Sequence, residues 1–413
     1  MTTPGFDAAT WTPLPLTTAT PPAGAVDALL GWAAAAGLWF EPIAIAVAAD
    51  GNRGVVARRD VAAGELLVSV PRALMITDVD VDAHPRLAPV QACAAELRSR
   101  HSALAVWLVG EAGDPASRWR RYLDALPPAY PWLPIHRPAA QLIGLAGTAA
   151  LAAIVAQAES YRADHALIAG RAPDPPSLAE FAWGRAVAGS RCYGIAAADG
   201  SVRALVPVAD MFDHGADAAH WGYDDAHQRF EVVAARALGA GEPVTISYGH
   251  HENAQLLSAY GFAAPSNPDD EIVIHLATHD GGRQLAIGTA YDPRFQLAMA
   301  TALAWPDTRE ADALTRIAAA VMDRGATIAL TPAASADDPA WAELCATVCA
   351  SERAIVPAIL AFVDEVTRGG CDRSVAAWQA VVDAIAPDAV GAARLMRGYA
   401  QVAIDHARPA AAD

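Results

Sequence analysis

LVPVADMFDH (residues 205–214) and YGHHENAQLLSAYGF (residues 248–262) bracket the part of this 413-residue chain that decides its reading. The first is a short apolar run of strand type that ends in acid and histidine. Asp210, Asp213, His214, Asp217 and His220 fall within eleven residues, a composition that suits either a metal site or an acid/base cluster. Their spacing fits no standard metal-ligand set, and turn formation and capping by the acids is the plainer alternative. In the second stretch, Tyr248-Gly249 ends a strand before a helix expected at 253–259. A phenol at that junction either faces a cleft or sits half-buried in the core. His250 and His251 are neighbours, which point different ways on any regular element, so they are read as solvated loop residues without a shared metal.

Working outward, strand signals cover 202–208 and 229–248, where FEVV and PVTIS flank Gly239-Ala240-Gly241-Glu242. An earlier β region, 55–57 and 66–70, flanks a similar turn at Ala63-Gly64-Glu65 and ends at Pro71, which removes a ladder donor. Two Ala-Gly-Glu turns, each feeding a short apolar strand, predict related hairpins in one split β domain. Between the halves, the period changes to helical, with Ala103, Val106, Trp107 and Gly110 at helix spacing, 142–161 as a further helix, and proline breaks at 127–134 and 173–176. A first helix is expected at 26–36, stopped by Gly37. Beyond 272–276 the chain reads as Ala-rich helix, at 295–304, 311–321, 352–366 and 390–406.

The fold class that follows is α+β: a β-rich domain interrupted by a helical insertion and followed by an all-helical C-terminal lobe. The boundaries are an irregular arm at 1–25, the first β part at 26–89, the insertion at 90–188, the second β part at 189–275 and the lobe at 276–413, which packs on the β domain or binds a partner.

Composition narrows the partners. With 54% hydrophobic and 18% charged residues the chain carries enough apolar surface for a large core. A formal charge of −17 argues against general affinity for nucleic acid or anionic lipid, both of which require basic surface, and favours a basic protein partner. Five cysteines without a CxxC pair, behind a start that lacks the basic and apolar parts of a signal peptide, lead to the expectation of reduced thiols in the cytoplasm. The longest apolar run, 142–156, is broken by Gly144 and Gly147 and falls short of the roughly 20 residues of a membrane span. No membrane partner is expected, and nothing in the sequence contradicts a monomer.

GNRGVVARRDVAAGELLVSVPRALMIT (51–77), a helical insertion, SRCYG (190–194), LVPVADMFDH and YGHHENAQLLSAYGF, in that order, resemble the SET-domain protein methyltransferases. The likeness is to the subgroup with a helical insertion and a helical C-terminal lobe that includes the Rubisco large-subunit lysine methyltransferase and the actin-histidine methyltransferase. It implies an enzyme that transfers a methyl group from S-adenosyl-L-methionine to a protein substrate, with no metal. It also implies cofactor binding by Gly51, Asn52 and Arg53, by Arg191, by Asp210, Met211, Phe212, Asp213 and His214, and by Tyr260, Gly261 and Phe262. Tyr248 matches the tyrosine beside the transferred methyl, and with Tyr193 it lines the substrate site. Carboxylates and carbonyls suit a cationic cofactor, and Phe262 can pack on its adenine. Tyr193 is aromatic as in the lysine-modifying members, which favours lysine over histidine as the target.

Two positions depart from the family pattern. Asp213-His214 stands where an Asn-His pair is usual, exchanging an amide for an acid that cannot donate. Asn52 stands where glycine is common. The acid at 213 motivates an alternative, a SET-like binding module without turnover. A metal-dependent hydrolase built on Asp210 and His214 is the third reading.

Overall fold

The structure, a computed structural model, describes residues 6–18, 20–47, 52–197, 200–278, 281–288, 310–328 and 338–369. Gly51 and the helices expected at 295–304 and 390–406 lie outside these residues. The chain divides into two units: residues 2–143 with 150–263, and residues 144–149 with those from 264 onward.

In the first unit, α1 (Ala25–Ala35) is followed by an antiparallel ribbon of β1 (Ile43–Val47) and β2 (Arg53–Ala57). A four-stranded sheet has the order β3 (Leu66–Pro71), β8 (Arg229–Ala234), β7 (Asp213–Asp224), β9 (Thr245–Ile246). A three-stranded sheet has the order β4 (Ile76–Thr77), β6 (Gly200–Leu205), β5 (Cys192–Ala197). Every sheet of this unit except the ribbon thus draws strands from both sides of the insertion. Among the described residues only the pairing of β7 with β9 is parallel, with Asp213 opposite Thr245 and His214 opposite Ile246.

The two Ala-Gly-Glu turns share one construction. Gly64 and Gly241 take φ of +80° and +82°, a left-handed backbone that glycine adopts without steric cost. The Glu65 carboxylate accepts the Ala62 N–H at 3.0 Å and the Glu242 carboxylate accepts the Gly239 N–H at 2.9 Å. Each glutamate also pairs with the arginine six residues before it, Arg59 at 2.8 Å and Arg236 at 2.6 Å. These turns do not close separate hairpins, as the sequence suggested. The segments around them pair with each other: Val61 and Leu238 exchange both N–H···O bonds, at 2.9 and 3.0 Å, and β3 pairs with β8. Local pattern fixed the turns; the choice of strand partner is a long-range matter that periodicity does not carry.

The insertion is helical: α2 (Asp78–Asp82), α3 (Ala88–Gln91), α4 (His101–Ala112), α5 (Arg120–Ala125), α6 (Ala139–Leu142), α7 (Ala149–Ala169) and α8 (Leu178–Arg191). Ser177 and Glu180 start α8 with a capping box. A buried carboxylate ties three of these helices together. Asp164 of α7 accepts the Arg98 and Ser99 N–H groups, the Ser102 hydroxyl at 2.6 Å and Arg185 of α8 at 3.1 Å, and the Arg185 guanidinium lies 4.3 Å over the Tyr161 ring. A buried acid so fully bonded offsets its loss of water. The end of α8 runs directly into β5, so the insertion delivers Arg191 to the sheet edge.

In the second unit, the lobe that the sequence made all-helical from 276 opens with an antiparallel hairpin, β10 (Glu271–Thr278) and β11 (Gly281–Gly288). The unit boundary at 264 keeps this hairpin whole, whereas the boundary drawn at 275 cuts it. Helices Glu310–Thr327 and Pro339–Gly369 complete the described part. Over Pro339–Ala361 the second is long and apolar enough to cross a membrane by length and composition. Its buried residues Trp341, Cys345, Val348, Cys349, Ile355 and Ile359 recur at helical spacing, the stripe of a helix packed on one side.

Helix α4 meets α8 at Gly184, where a Cβ would stand 2.7 Å from the Ala105 carbonyl oxygen and 2.9 Å from its Cα. Gly184→Ala gains roughly 1 kcal/mol of helix propensity but forces two backbones apart, at a cost of about 1–3 kcal/mol. The expected outcome is a net loss of stability, read as a lower melting temperature by calorimetry; an unchanged or higher value would contradict this packing.

Candidate active site

The segment between β6 and β7 makes the site. Val208, buried, has φ 72° and ψ −46°, a backbone conformation that a β-branched residue adopts only under constraint. The kink is followed by the short 3-10 turn Ala209–Met211, which places Asp210 in the interior. Its Oδ2 accepts the Tyr122 hydroxyl of α5 at 2.7 Å and lies 3.7 Å from Arg191 Nη1, which donates to the Asp210 carbonyl at 2.7 Å. Arg191 Nε donates to the Tyr130 hydroxyl at 3.0 Å. Burial pushes the Asp210 carboxyl up, against the opposing pull of Arg191 and the Tyr122 hydrogen bond.

Tyr248 follows β9, and the parallel register sets it beside the end of the β6–β7 segment. Its backbone N–H donates to His214 Nδ1 at 3.1 Å and its hydroxyl donates to the Phe212 carbonyl at 2.7 Å. Because Nδ1 accepts, the proton of the neutral His214 ring is on Nε2. Burial, with the Asp213 carboxylate next, pushes the Tyr248 phenol well up, so it stays protonated. Rings continue outward: His214 lies 5.2 Å from Tyr248 and 5.7 Å from Phe262, and Tyr260 lies 4.9 Å from Tyr248. The helix Asn253–Gln255 (α9) passes into a π-helical turn, Leu256–Tyr260, which Gly261 ends at φ +86° with its N–H on the Leu256 and Leu257 carbonyls.

A cavity of about 60 Å³ lies among Arg191, Tyr193, Phe212, Trp221, Tyr248 and Tyr260. A water occupies about 30 Å³, so this space admits the end of a side chain and not a nucleoside. Tyr193 donates its hydroxyl to the Ala209 carbonyl at 2.6 Å and packs 5.0 Å from Trp221 and 4.7 Å from Phe230. A larger cavity, about 280 Å³ between Met75, Val81, Trp107 and Trp119, shares no residue with it and none of the groups above.

Of the residues singled out in the sequence, Arg191, Tyr193, Asp210, Phe212, Tyr248 and Tyr260 meet at this cavity, and His214 and Phe262 extend its ring wall. Asp213 is exposed, with its carboxylate over β2, and a Cβ on Gly54 would stand 2.6 Å from its Oδ2. That glycine lets the Asp213 carboxylate pack directly on the β2 backbone. Arg53 donates to the Ala125 carbonyl. Met211 is buried, Asn52 is exposed, and Gly51 lies outside the described residues. Sequence reasoning missed Gly54, Tyr122, Tyr130, Trp132 and Trp221; the only signal for Tyr130 and Trp132 is an aromatic pair inside a proline-rich break. Asp210 Oδ2 faces Tyr122 and Arg191, whereas His214 Nδ1 accepts from Tyr248, so the two residues of the metal reading serve different partners. Among the described residues, no three His, Cys, Asp or Glu side chains are grouped to hold a metal ion.

Known proteins agree with this architecture. The actin-histidine N-methyltransferases of Danio rerio and Homo sapiens are each 28% identical to the chain over 273 residues, 63% of this chain and 46% of theirs. The chain therefore spans about half the length of the curated relatives it matches. The solved SET domain of LSMT bound to lysine and AdoHcy superposes with a TM-score of 0.66 at 18% identity, covering 84% of this chain and 92% of that one. Rubisco LSMT bound to AdoMet gives 0.63 at 17% identity, covering 90% and 98%. At such identity the likeness concerns the fold. The model of the SET domain family matches residues 52–249, the stretch that contains Arg53, Arg191, Asp210 and Tyr248. Residues 52–249 of this chain are a SET domain.

Proposed function

We propose that the chain is an S-adenosylmethionine-dependent protein methyltransferase that acts on a lysine side chain. The observation that carries this reading is the Tyr248 hydroxyl, fixed on the Phe212 carbonyl at the wall of an aromatic cavity sized for a side-chain end. The cofactor supplies a methyl group on a sulfonium cation. The Asp213 carboxylate, resting on the backbone at Gly54, would hold its ammonium, Arg191 would position the Asp210 turn beneath it, and Phe262 and His214 would flank the adenine. Carbonyl and phenol oxygens at Phe212, Ala209 and Tyr248 are suited to weak C–H···O contacts with a polarised methyl. The apolar walls disfavour an ammonium inside, which lowers a lysine's pKa in the direction that frees its lone pair.

The lining also bears on the choice of nucleophile. Arg191 is engaged by Asp210 and Tyr130, Tyr193 by Ala209, Tyr248 by Phe212, Ser190 by the Ala186 carbonyl and Trp221 by the Ser247 carbonyl. The ring faces suit an alkyl stem and the cation that forms on methylation, while the hydroxyl oxygens of Tyr193, Tyr248 and Tyr260 keep lone pairs that also suit an imidazole N–H. The second reading, histidine methylation, is favoured by the names of the curated relatives.

Binding of S-adenosylmethionine by calorimetry, followed by assay of lysine and histidine protein substrates with a labelled methyl group, tests both readings. Label on histidine alone would replace lysine, and no binding would remove the enzyme reading. Tyr248→Phe is expected to lower kcat at least about tenfold, roughly 1.4 kcal/mol in barrier, while the cofactor Kd changes little. A wild-type rate would dismiss Tyr248 from the chemistry.

Asp213 sets a pH dependence. Partial burial raises its carboxyl from the ordinary 3.8, with Arg191 opposing. Ionisation is therefore harder in the folded chain than in the unfolded one, and the charge costs stability above the folded value but not below 3.8. Asp213→Asn should gain melting temperature relative to the parent as pH rises above about 4, and the gain should level off once the carboxyl is ionised in the folded chain. A difference that stays flat with pH would mean that Asp213 is solvated as freely in the folded chain as in the unfolded one.

A further inference from the structure

The loop between α5 and α6, residues 127–137, reaches the site through two rings. Tyr130, 3% exposed, accepts Arg191 Nε at 3.0 Å. Trp132 covers Gly261 so closely that a Cβ there would stand 2.4 Å from its Cδ1, and its ring lies 5.1 Å from that of Tyr130. Both residues thus touch groups assigned above to the cofactor side, Arg191 and the Tyr260-Gly261-Phe262 turn.

This loop bonds to itself through the Leu133, His136 and Arg137 N–H groups on the Tyr130, Leu133 and Pro134 carbonyls. Four prolines, 127, 128, 131 and 134, remove four backbone donors from eight residues, and the carbonyls of Pro128, Ile135 and Arg137 take donors from elsewhere. Residues 6–18, outside the SET domain match, supply them. Trp11 Nε1 donates to the Arg137 carbonyl at 2.9 Å, the Leu14 N–H to the Ile135 carbonyl at 2.9 Å, and the Thr17 hydroxyl to the Pro128 carbonyl. His136 Nδ1 returns a bond to the Leu14 carbonyl at 2.8 Å, and Leu14 is 3% exposed. The strap is itself fixed by Arg162, which donates to the Thr12 carbonyl and lies 5.7 Å over the Trp11 ring. From the other side, Trp183 Nε1 holds the Pro127 carbonyl at 2.8 Å.

We propose that residues 6–18 are a strap that positions Tyr130 and Trp132, and through them Arg191 and the Gly261 turn, so that cofactor affinity depends on a segment outside the SET domain. The inference rests on the cofactor reading above. Tyr130 and Trp132 are positioning residues, and Trp11 acts on the site through the loop.

The test is calorimetric titration of the full chain with S-adenosylmethionine. Tyr130→Phe removes the acceptor of Arg191 Nε and keeps the ring; Trp11→Phe removes one donor to the loop and keeps a ring. Expected are a rise in Kd of about tenfold for Tyr130→Phe, a bond to a charged group, and of about threefold for Trp11→Phe, a neutral one. The double variant should lose less than the product of the two, because both act along one path. Leu29→Ala, a core truncation in α1, should lower the melting temperature at least as far yet leave Kd within about twofold. Unchanged Kd in both single variants, multiplication of their effects, or an equal loss in Leu29→Ala overturns the strap. No binding by the parent protein overturns the cofactor reading and the strap with it.

Discussion

A buried carboxylate, Asp210, is the constraint on which the rest of the first unit depends. Its desolvation is worth several kcal/mol against folding unless donors surround it. Two groups meet its Oδ2, Tyr122 in the insertion and Arg191 at the end of the insertion's last helix, while the backbone kink at Val208 turns the acid inward and Oδ1 is left buried without a donor. The kink alone costs about 1–3 kcal/mol, so it persists only because the surrounding packing leaves no alternative. Val206, Val208 and Ala209 are all fully buried, and Tyr193 ties the Ala209 carbonyl from the neighbouring strand. The insertion is therefore no appendage. Without Tyr122 and Arg191 the Asp210 turn would hold an unpaired charge.

From that turn the parallel contact of β7 with β9 follows, and it does more than close the sheet. It lines up His214 with Ile246, so that the chain leaving β9 brings the Tyr248 N–H onto His214 Nδ1 and its hydroxyl onto the Phe212 carbonyl. Two hydrogen bonds on one residue fix both the position and the tilt of the ring. A hydroxyl so held donates its proton to Phe212 and keeps its oxygen at the cavity wall, and burial keeps its proton on. The tyrosine thus contributes as a fixed oxygen, a role that needs no change of its protonation state.

How much of this was legible in the sequence depends on whether the signal was local. The strands, the glycine turns, the helical insertion and the residues of LVPVADMFDH and YGHHENAQLLSAYGF carry their own patterns, and most of the residues read from them meet at one cavity. The Ala-Gly-Glu turns were read correctly as turns and wrongly as hairpins, because Val61 finds Leu238 across the whole insertion, and no window of sequence contains both. Tyr130, Trp132 and Trp221 escaped for the same reason: each is an ordinary aromatic until a distant segment folds against it. The acid and histidine cluster misled in the opposite way. Proximity in sequence left shared ligands open beside turn formation, but Asp210 lies in a turn and His214 in a strand, and they bond to different partners, Tyr122 and Tyr248.

The same reasoning bears on Asp213, the residue at which the chain departs from the family pattern. An amide there would both donate and accept; the acid only accepts, and it does so from a position against Gly54 where partial burial already opposes its charge. Asp213 is exposed on one side, while its contact with Gly54 takes water from the other. A cation placed beside that carboxylate would oppose the shift, since it favours the charged form that burial disfavours. The residue that most disturbs the sequence comparison is thus also the one whose electrostatics best suit a positively charged cofactor.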